Sequence, residues 1–328
     1  MPGVLVLLPP PCRRLEAAFQ TVLRILVLTT VLVLATALIC APIQIGGAQA
    51  QAQSAVPESH LTFTTIDVPG ADVNAVYGIN SSGDMVGYYG PNNGSGLDKH
   101  GFLYRSGIFT FLDYPGAAST FAYGINDSGL IVGSAEFNGG TTIGGFTYDG
   151  VTYSLIQLKG KSSTITYGVN NSAQLVGGAG TLFSTLGFEK ADNIVKKLNV
   201  PGQHVYVFAS GINNAAQLVG WADSDGFMCL RALCRLMDVP GANQTAATGI
   251  SDGGVIVGWY ASSNCICGFA LKNGHYGSFG YPGAAGTFAA GINRFGQIVG
   301  QYTFDFNSYH GFVTSPIAAA YFERPEAL

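Results

Sequence analysis

The chain has 328 residues, of which only 10% are charged and 46 are glycine, about 14% of the total and roughly twice the usual share. So much glycine without a collagen period implies many tight turns, and a chain this apolar can bury a large core. Beyond residue 52 there remain 12 basic and 18 acidic residues, a net charge near −6, which excludes a general nucleic-acid binder with a basic face.

Residues 1–52 have the layout of a secretory signal peptide. Arg13, Arg14 and Arg24 precede an uncharged run from Ile25 to Ala41, and Ala48-Gln-Ala50 and Ala50-Gln-Ala52 follow as small-x-small cleavage sites. The expected product is secreted, extracellular or periplasmic, and free of the membrane once the signal is cleaved. If the run stayed as an anchor, the arginines before it would still hold the rest outside the cytoplasm. Residues 53–60 are expected to be a disordered linker, residues 61–315 one folded domain, and residues 316–328 a C-terminal tail.

The domain is a repeat. Gly-Ile/Val-Asn/Ser begins at Gly78, Gly124, Gly168, Gly211, Gly249 and Gly291, at spacings of 46, 44, 43, 38 and 42 residues, a period typical of propellers and solenoids. Each copy runs on to a Val-Gly pair (Val86, Val132, Val176, Val219, Val257, Val299), then to a Gly-Phe pair (Phe102, Phe146, Phe188, Phe227, Phe269, Phe312). Most then close in a Pro-Gly turn such as Pro115-Gly116, and Leu158-Lys-Gly160 takes that place in one copy.

One copy predicts four strands. Thr120–Ile125 is the first, and Asn126-Asp-Ser-Gly129 is a turn with Asn first and Gly last. Leu130–Val132 is a strand apolar on both faces, and Gly145–Tyr148 and Val151–Leu155 form an outer hairpin across Asp149-Gly150, read as a two-residue turn. Long variable loops are expected at Gly90 to Lys99, Glu136 to Ile143 and Thr303 to Tyr309, all on one face, where binding usually resides.

The ends complement each other. Leu61 to Pro69 matches a fourth strand with nothing before it, and Tyr309 to Ser315 matches a third strand with nothing after it. The expected fold is all-β, a six-bladed β-propeller of four-stranded antiparallel blades, closed by the N-terminal strand (61–68) joining the C-terminal blade.

Six units carrying Gly-Ile-Asn-x-x-Gly-x-Ile-Val-Gly, His-Gly-Phe and Asp-x-Pro-Gly-Ala resemble the bacterial extracellular repeats called the HAF family, over residues 61–315. The resemblance implies a secreted or surface β-propeller and carries no established reaction. The His before Gly-Phe stands only at His100 and His310, and Gly144, Leu186, Asp225 and Cys267 replace it elsewhere.

Candidate site residues follow from exposure and chemistry. His100 and His310 belong to the first and last units and are paired in this reading with Asp98 and Asp305. A metal between them, and a calcium loop at Asp223-Ser-Asp225, are set aside for want of ligands. Tyr88, Tyr89, Trp221, Trp259 and Tyr260 are candidate stacking surfaces for a glycan, or equally residues that pack between blades. Asn80, Asn126, Asn170, Asn213 and Asn293 cap their own turns, and Asp67, Asp113 and Asp238 are read as turn residues. Cys229, Cys234, Cys265 and Cys267 allow three disulfide pairings. Cys229 with Cys234 suits an outer hairpin, leaving Cys265 with Cys267, although a cross-strand bridge is strained.

No Ser-His-acid spacing, phosphate loop, metal-binding helix or cofactor motif appears, and no catalytic residue is assigned. The reading is a monomeric, non-catalytic secreted protein that binds a glycan or extracellular protein on its variable-loop face. The alternative is an extracellular polysaccharide or peptide hydrolase or lyase with acidic residues at the channel mouth.

Overall fold

The recurring Val-Gly and Gly-Phe pairs are two halves of one contact. In every repeat the central glycine pairs across strands with the phenylalanine, as Gly87 with Phe102 and Gly177 with Phe188. The ring lies over that glycine: a Cβ added at Gly87 would stand 2.8 Å from the Phe102 ring and 1.9 Å from the Ala75 carbonyl oxygen. All six phenylalanines are completely buried. Each such burial contributes about 1.5–3 kcal/mol, so the row anchors the repeat at the same depth in every copy.

These contacts come from a computed structural model that describes residues 61–92, 97–181, 184–231 and 233–322. Residues 1–60, expected to be signal peptide and linker, and the end of the expected tail lie outside the described residues. After β1 (Phe63–Ile66) the strands run as antiparallel meanders of four. The first is β2 (Val73–Ile79), β3 (Met85–Gly90), β4 (His100–Arg105) and β5 (Ile108–Leu112). Next come β6 (Ser119–Ile125), β7 (Ile131–Phe137), β8 (Thr142–Tyr148) and β9 (Tyr153–Ile156), then β10 (Ser163–Val169), β11 (Leu175–Thr181), β12 (Ser184–Ala191) and β13 (Ile194–Lys197). A single parallel pair, Ser163 with Ile143, joins those two meanders into an eight-stranded sheet.

The fourth meander is β14 (Val207–Ile212), β15 (Gln217–Ala222), β16 (Asp225–Leu230) and β17 (Leu233–Met237). The fifth is β18 (Gln244–Ile250), β19 (Ile256–Ala261), β20 (Ile266–Lys272) and β21 (His275–Phe279). It is linked through Ile266 and Gly286 to β22 (Gly286–Ile292), β23 (Ile298–Thr303) and β24 (His310–Thr314). This last set has three strands of its own, and β1 lies antiparallel beside β24, from Phe63 opposite Thr314 to Ile66 opposite Gly311.

The inner strands pack backbone on backbone. A Cβ on Gly78 would lie 3.0 Å from the Gly124 Cα, one on Gly249 would lie 3.0 Å from the Gly291 Cα, and one on Gly291 would lie 2.5 Å from the Tyr77 carbonyl oxygen. Gly124, Gly168 and Gly211 make the intermediate contacts of the same kind. Only glycine leaves room for this approach, which is why the Gly-Ile-Asn motif starts with it.

Two loops differ from the sequence reading. β7 and β8 extend until Phe137 pairs with Thr142, so the expected long loop from Glu136 to Ile143 shrinks to a single turn. The Asp149-Gly150 turn is longer than two residues, because Asp149 Oδ1 accepts the amides of Val151 and Thr152 and holds them out of the ladder.

Candidate functional site

A β-bulge in each inner strand decides what faces the centre. The pairing of β2 with β3 skips between Val76 and Gly78, and the other inner strands skip at the equivalent place, leaving Tyr77, Tyr123, Tyr167, Ser210, Thr248 and Ala290 out of the ladders. A bulge re-aims a side chain. Here it brings tyrosines of adjacent units into ring contact, with Tyr77 edge-on to Tyr123 at 5.1 Å and Tyr123 tilted against Tyr167 at 4.9 Å between ring centroids. Tyr88, Phe121, Phe208 and Trp221 extend the aromatic wall. Burial pushes the Tyr77 and Tyr123 hydroxyls well above the usual phenol range.

At the end carrying the short turns, a polar depression of about 90 Å³ is lined by the turn residues of all six repeats. The asparagines do more there than the expected capping. Asn126 Oδ1 accepts the amides of Ser128 and Leu130 in its own turn, while its Nδ2 donates to the Asn170 carbonyl of the next repeat at 3.0 Å. Asn80, Asn170, Asn213 and Asn293 do the same, so these amides are consumed by the scaffold. An outer rim repeats the device: Asp127 Oδ1 accepts the Ser81 amide and Asp252 Oδ1 the Asn214 amide.

The opposite, long-loop end holds the histidines, and their partners are not those expected. His100 Nδ1 lies 2.8 Å from Asp113 Oδ1, and His310 Nδ1 lies 2.6 Å from Asp67 Oδ2. The partners are therefore the aspartates before the Pro-Gly turns rather than Asp98 and Asp305. Asp305 Oδ1 accepts the amides of Asn307 and Ser308, which hold its carboxyl below the usual range, and Asp98 sits at a left-handed φ of 60°. The Pro-Gly turns are tied by residues that the motif reading missed. Thr120 Oγ1 accepts the Tyr114 amide, Thr245 Oγ1 the Val239 amide, and Asn74 Oδ1 the Val68 amide.

Each histidine stands beside a tyrosine from the neighbouring strand. Tyr302 stacks on His310 at 5.1 Å and on Tyr281 at 3.5 Å, and Phe304 meets Tyr302 edge-on while remaining 53% exposed. Burial and the neighbouring Tyr281 hydroxyl push Tyr302 up to about 12. In the first repeat Tyr89 contacts both His100 and Phe111. The same Tyr, His and Asp positions thus recur in two repeats that touch each other, since the Asn74 amide donates to the Tyr309 carbonyl.

The tryptophans leave the candidate surface. Trp221 and Trp259 are 7% and 4% exposed: Trp221 stacks on Phe208, its cross-strand partner in the same repeat, and Trp259 packs on Phe288 of the next repeat. Tyr88 packs on Tyr77 and Phe121, and the Tyr260 hydroxyl is 2.6 Å from Ser278 Oγ. Asp223 is spent on the backbone of Val205 and Tyr206 and on His204, so it is unlike a calcium ligand. Among the described residues no group of three His, Cys, Asp or Glu could hold a metal, and no helix is long and apolar enough to cross a membrane. Cys229 bonds to Cys234 across β16 and β17, and Cys265 bonds to Cys267.

Two charged residues that no motif marked also lie toward this end. Glu136, near the end of β7, is completely buried, and burial pushes its carboxyl up to about 8. Lys99, before β4, is 8% exposed and is pushed below the usual lysine range by the same cause.

No protein-family model and no curated protein matches the chain. Among solved structures it is similar to a putative gluconolactonase at 12% identity, over 78% of this chain and 93% of that one, with a TM-score of 0.50. It is also similar to a catalytically inactive virginiamycin B lyase from Staphylococcus aureus with quinupristin, at 14% identity over 78% of this chain and 100% of that one, TM-score 0.47. A prolyl endopeptidase matches at 11% identity over 74% of this chain and 39% of its own length, TM-score 0.45. The first of these is a β-propeller-like protein, and the all-β meanders described above share that β-propeller-like fold.

Proposed function

We propose that the chain is an exported six-bladed propeller, closed by β1, that binds a glycan on its long-loop face. Closure is supported by the β1 and β24 pairing and by the glycine contacts that return from Gly291 to Tyr77 and Gly78. Export is supported by the Arg-flanked apolar leader, and the two disulfides suit an oxidising compartment.

The observation that carries the binding reading is the recurrent Tyr, His and Asp set beside exposed phenylalanines. Sugars offer an apolar ring face to aromatic side chains and hydroxyls to carboxylates and imidazoles. With Nδ1 donating to its aspartate, neutral His310 keeps Nε2 as an acceptor for a sugar hydroxyl. The same imidazole and aspartate could act as a general base, which is the specific ground for a second reading as an extracellular hydrolase or lyase.

The test is a glycan array probed with the full chain, followed by calorimetry on the captured glycans. Tyr302→Ala and His310→Ala should weaken binding at least tenfold, while Asn214→Ala at the short-turn end should not. Capture of no glycan, or equal binding by all variants, would reject the reading. Release of free sugar during incubation would favour the enzyme.

A further inference from the structure

The polar depression of about 90 Å³ at the short-turn end has a rim of six residues, Ser81, Asp127, Asn171, Asn214, Asp252 and Arg294, each standing one place after the residue that opens its turn. At four successive junctions the backbone amide of one rim residue donates to a side-chain oxygen of the next: Ser81 to Asp127, Asp127 to Asn171, Asn171 to Asn214 and Asn214 to Asp252. The next side chain is Arg294, and arginine accepts nothing. Among the described residues the amides of Asp252 and Arg294 therefore meet no acceptor, and the rim is open on that side.

The inner circuit of asparagine amides is interrupted at the same junction, because Ser251 has no Nδ2 to reach the Asn293 carbonyl. Both circuits open at one place. A free charge stands there as well: Arg294 is exposed, makes no salt bridge among the described residues, and holds its guanidinium 4.6 Å from the centre of the exposed Phe295 ring. The two rim carboxylates are already served. Asp127 accepts the Ser81 amide and Asn171 Nδ2, while both oxygens of Asp252 are taken by Asn214, on the far side of that repeat from Arg294.

We propose that this junction is a binding site for a small monocarboxylate, which supplies the missing rim oxygen: it accepts the Asp252 amide as Asp127 Oδ1 accepts that of Ser81, and pairs with the Arg294 guanidinium. Hydrogen bonds in which both groups are charged are the strong ones, and the guanidinium fork matches a carboxylate. The depression has room for several water-sized groups, hence for an anion of a few heavy atoms. A doubly charged anion such as phosphate is disfavoured, because Asp127 and Asp252 stand on the same rim. The site lies at the opposite end from the Tyr302, His310 and Asp67 set and does not depend on glycan binding there.

The probe is sodium acetate, titrated into the isotope-labelled full chain at constant ionic strength, with sodium chloride making up the balance. The amide resonances of Asp252 and Arg294 should move downfield and saturate on one curve, while those of Ser81 and Asn214, already bonded within the rim, should move little. Arg294→Ala should weaken binding about tenfold or more. Arg294→Asn places in the gap the oxygen that Asn171 and Asn214 supply in their own repeats. It should abolish the acetate response, and its Asp252 amide should stand downfield before any acetate is added. Arg235→Ala, on an outer strand, should bind as the parent chain does. Shifts that never saturate, equal shifts with chloride alone, or undiminished acetate binding by Arg294→Asn would each overturn the proposal. Arg294 is exposed, and the amide spectrum of each variant reports its fold in the same measurement.

Discussion

Asn293 Nδ2 donates to the main-chain carbonyl of Asn80 at 3.2 Å, joining the last repeat to the first across 213 residues of sequence. The same link runs from Asn80 to Asn126, Asn126 to Asn170, Asn170 to Asn213 and Asn213 to Ser251. It stops at Ser251, whose hydroxyl accepts the Val255 amide and is too short to reach the next repeat.

The interruption gives a paired prediction. Asn293→Ala removes an amide that bonds Phe295 N, Gln297 N, Gln297 Oε1 and Asn80 O, and should cost about 2–4 kcal/mol. Ser251→Asn restores the missing link in a turn of the same length and should stabilise by about 1 kcal/mol. Urea midpoints of the two variants measure both. A neutral Asn293→Ala would mean that the link contributes nothing.

The architecture was legible because it is written in local chemistry repeated six times. Glycine where no Cβ fits, phenylalanine over glycine, and asparagine opening a turn each leave a residue-level signature. The histidines were visible for the same reason, yet their partners were not. Asp67 and His310 are 243 residues apart, and only the pairing of β1 with β24 makes them neighbours. Glu136 left no signature at all, since its cognate positions are occupied by Gly90, Gly180 and Thr303 and its importance arises from burial that sequence does not print. Trp221 and Trp259 stayed ambiguous for the converse reason: an aromatic next to a Val-Gly pair looks alike whether it faces solvent or packs on a neighbouring ring.

Packing of phenylalanine on glycine predicts that two changes of very different size are both costly. Phe188→Ala should cost about 3–5 kcal/mol by opening a cavity. Gly177→Ala adds only one methyl, but its Cβ would stand 2.0 Å from the Ile165 carbonyl oxygen and 2.9 Å from the Phe188 ring. Backbone cannot yield as a side chain can, so this change should also lower thermal stability severely. Melting temperatures read both, and a near-neutral Gly177→Ala would contradict the packing described.

Glu136 makes stability depend on pH in a defined direction. Its folded pKa is raised to about 8 by burial, so the folded chain keeps a proton that the unfolded chain loses near its ordinary carboxylate value. The stabilisation is complete below that ordinary value and is lost as pH rises toward about 8, with a slope of up to about 1.4 kcal/mol per pH unit. Glu136→Gln should remove this slope. Urea denaturation at several pH values between about 5 and about 8 compares the two chains, and parallel curves would exclude a buried titrating Glu136.

The Asp67 and His310 pair can be tested without any ligand. A carboxylate can only accept, so neutral His310 must carry its proton on Nδ1 and leave Nε2 bare. Asp67→Asn offers an amide donor to the same nitrogen and should move the proton to Nε2, a change that nitrogen NMR of the imidazole reports directly. Asp67 Oδ1 also accepts the Gly311 amide, which the asparagine can retain through its own oxygen only by turning its NH₂ toward His310, so backbone and tautomer are coupled. Asp305→Asn should leave the tautomer unchanged, because Asp305 serves its own loop. If instead Asp305→Asn shifted the imidazole signals and Asp67→Asn did not, the pairing across β1 and β24 would be wrong, and the recurrent Tyr, His and Asp set on the long-loop face would lose its basis.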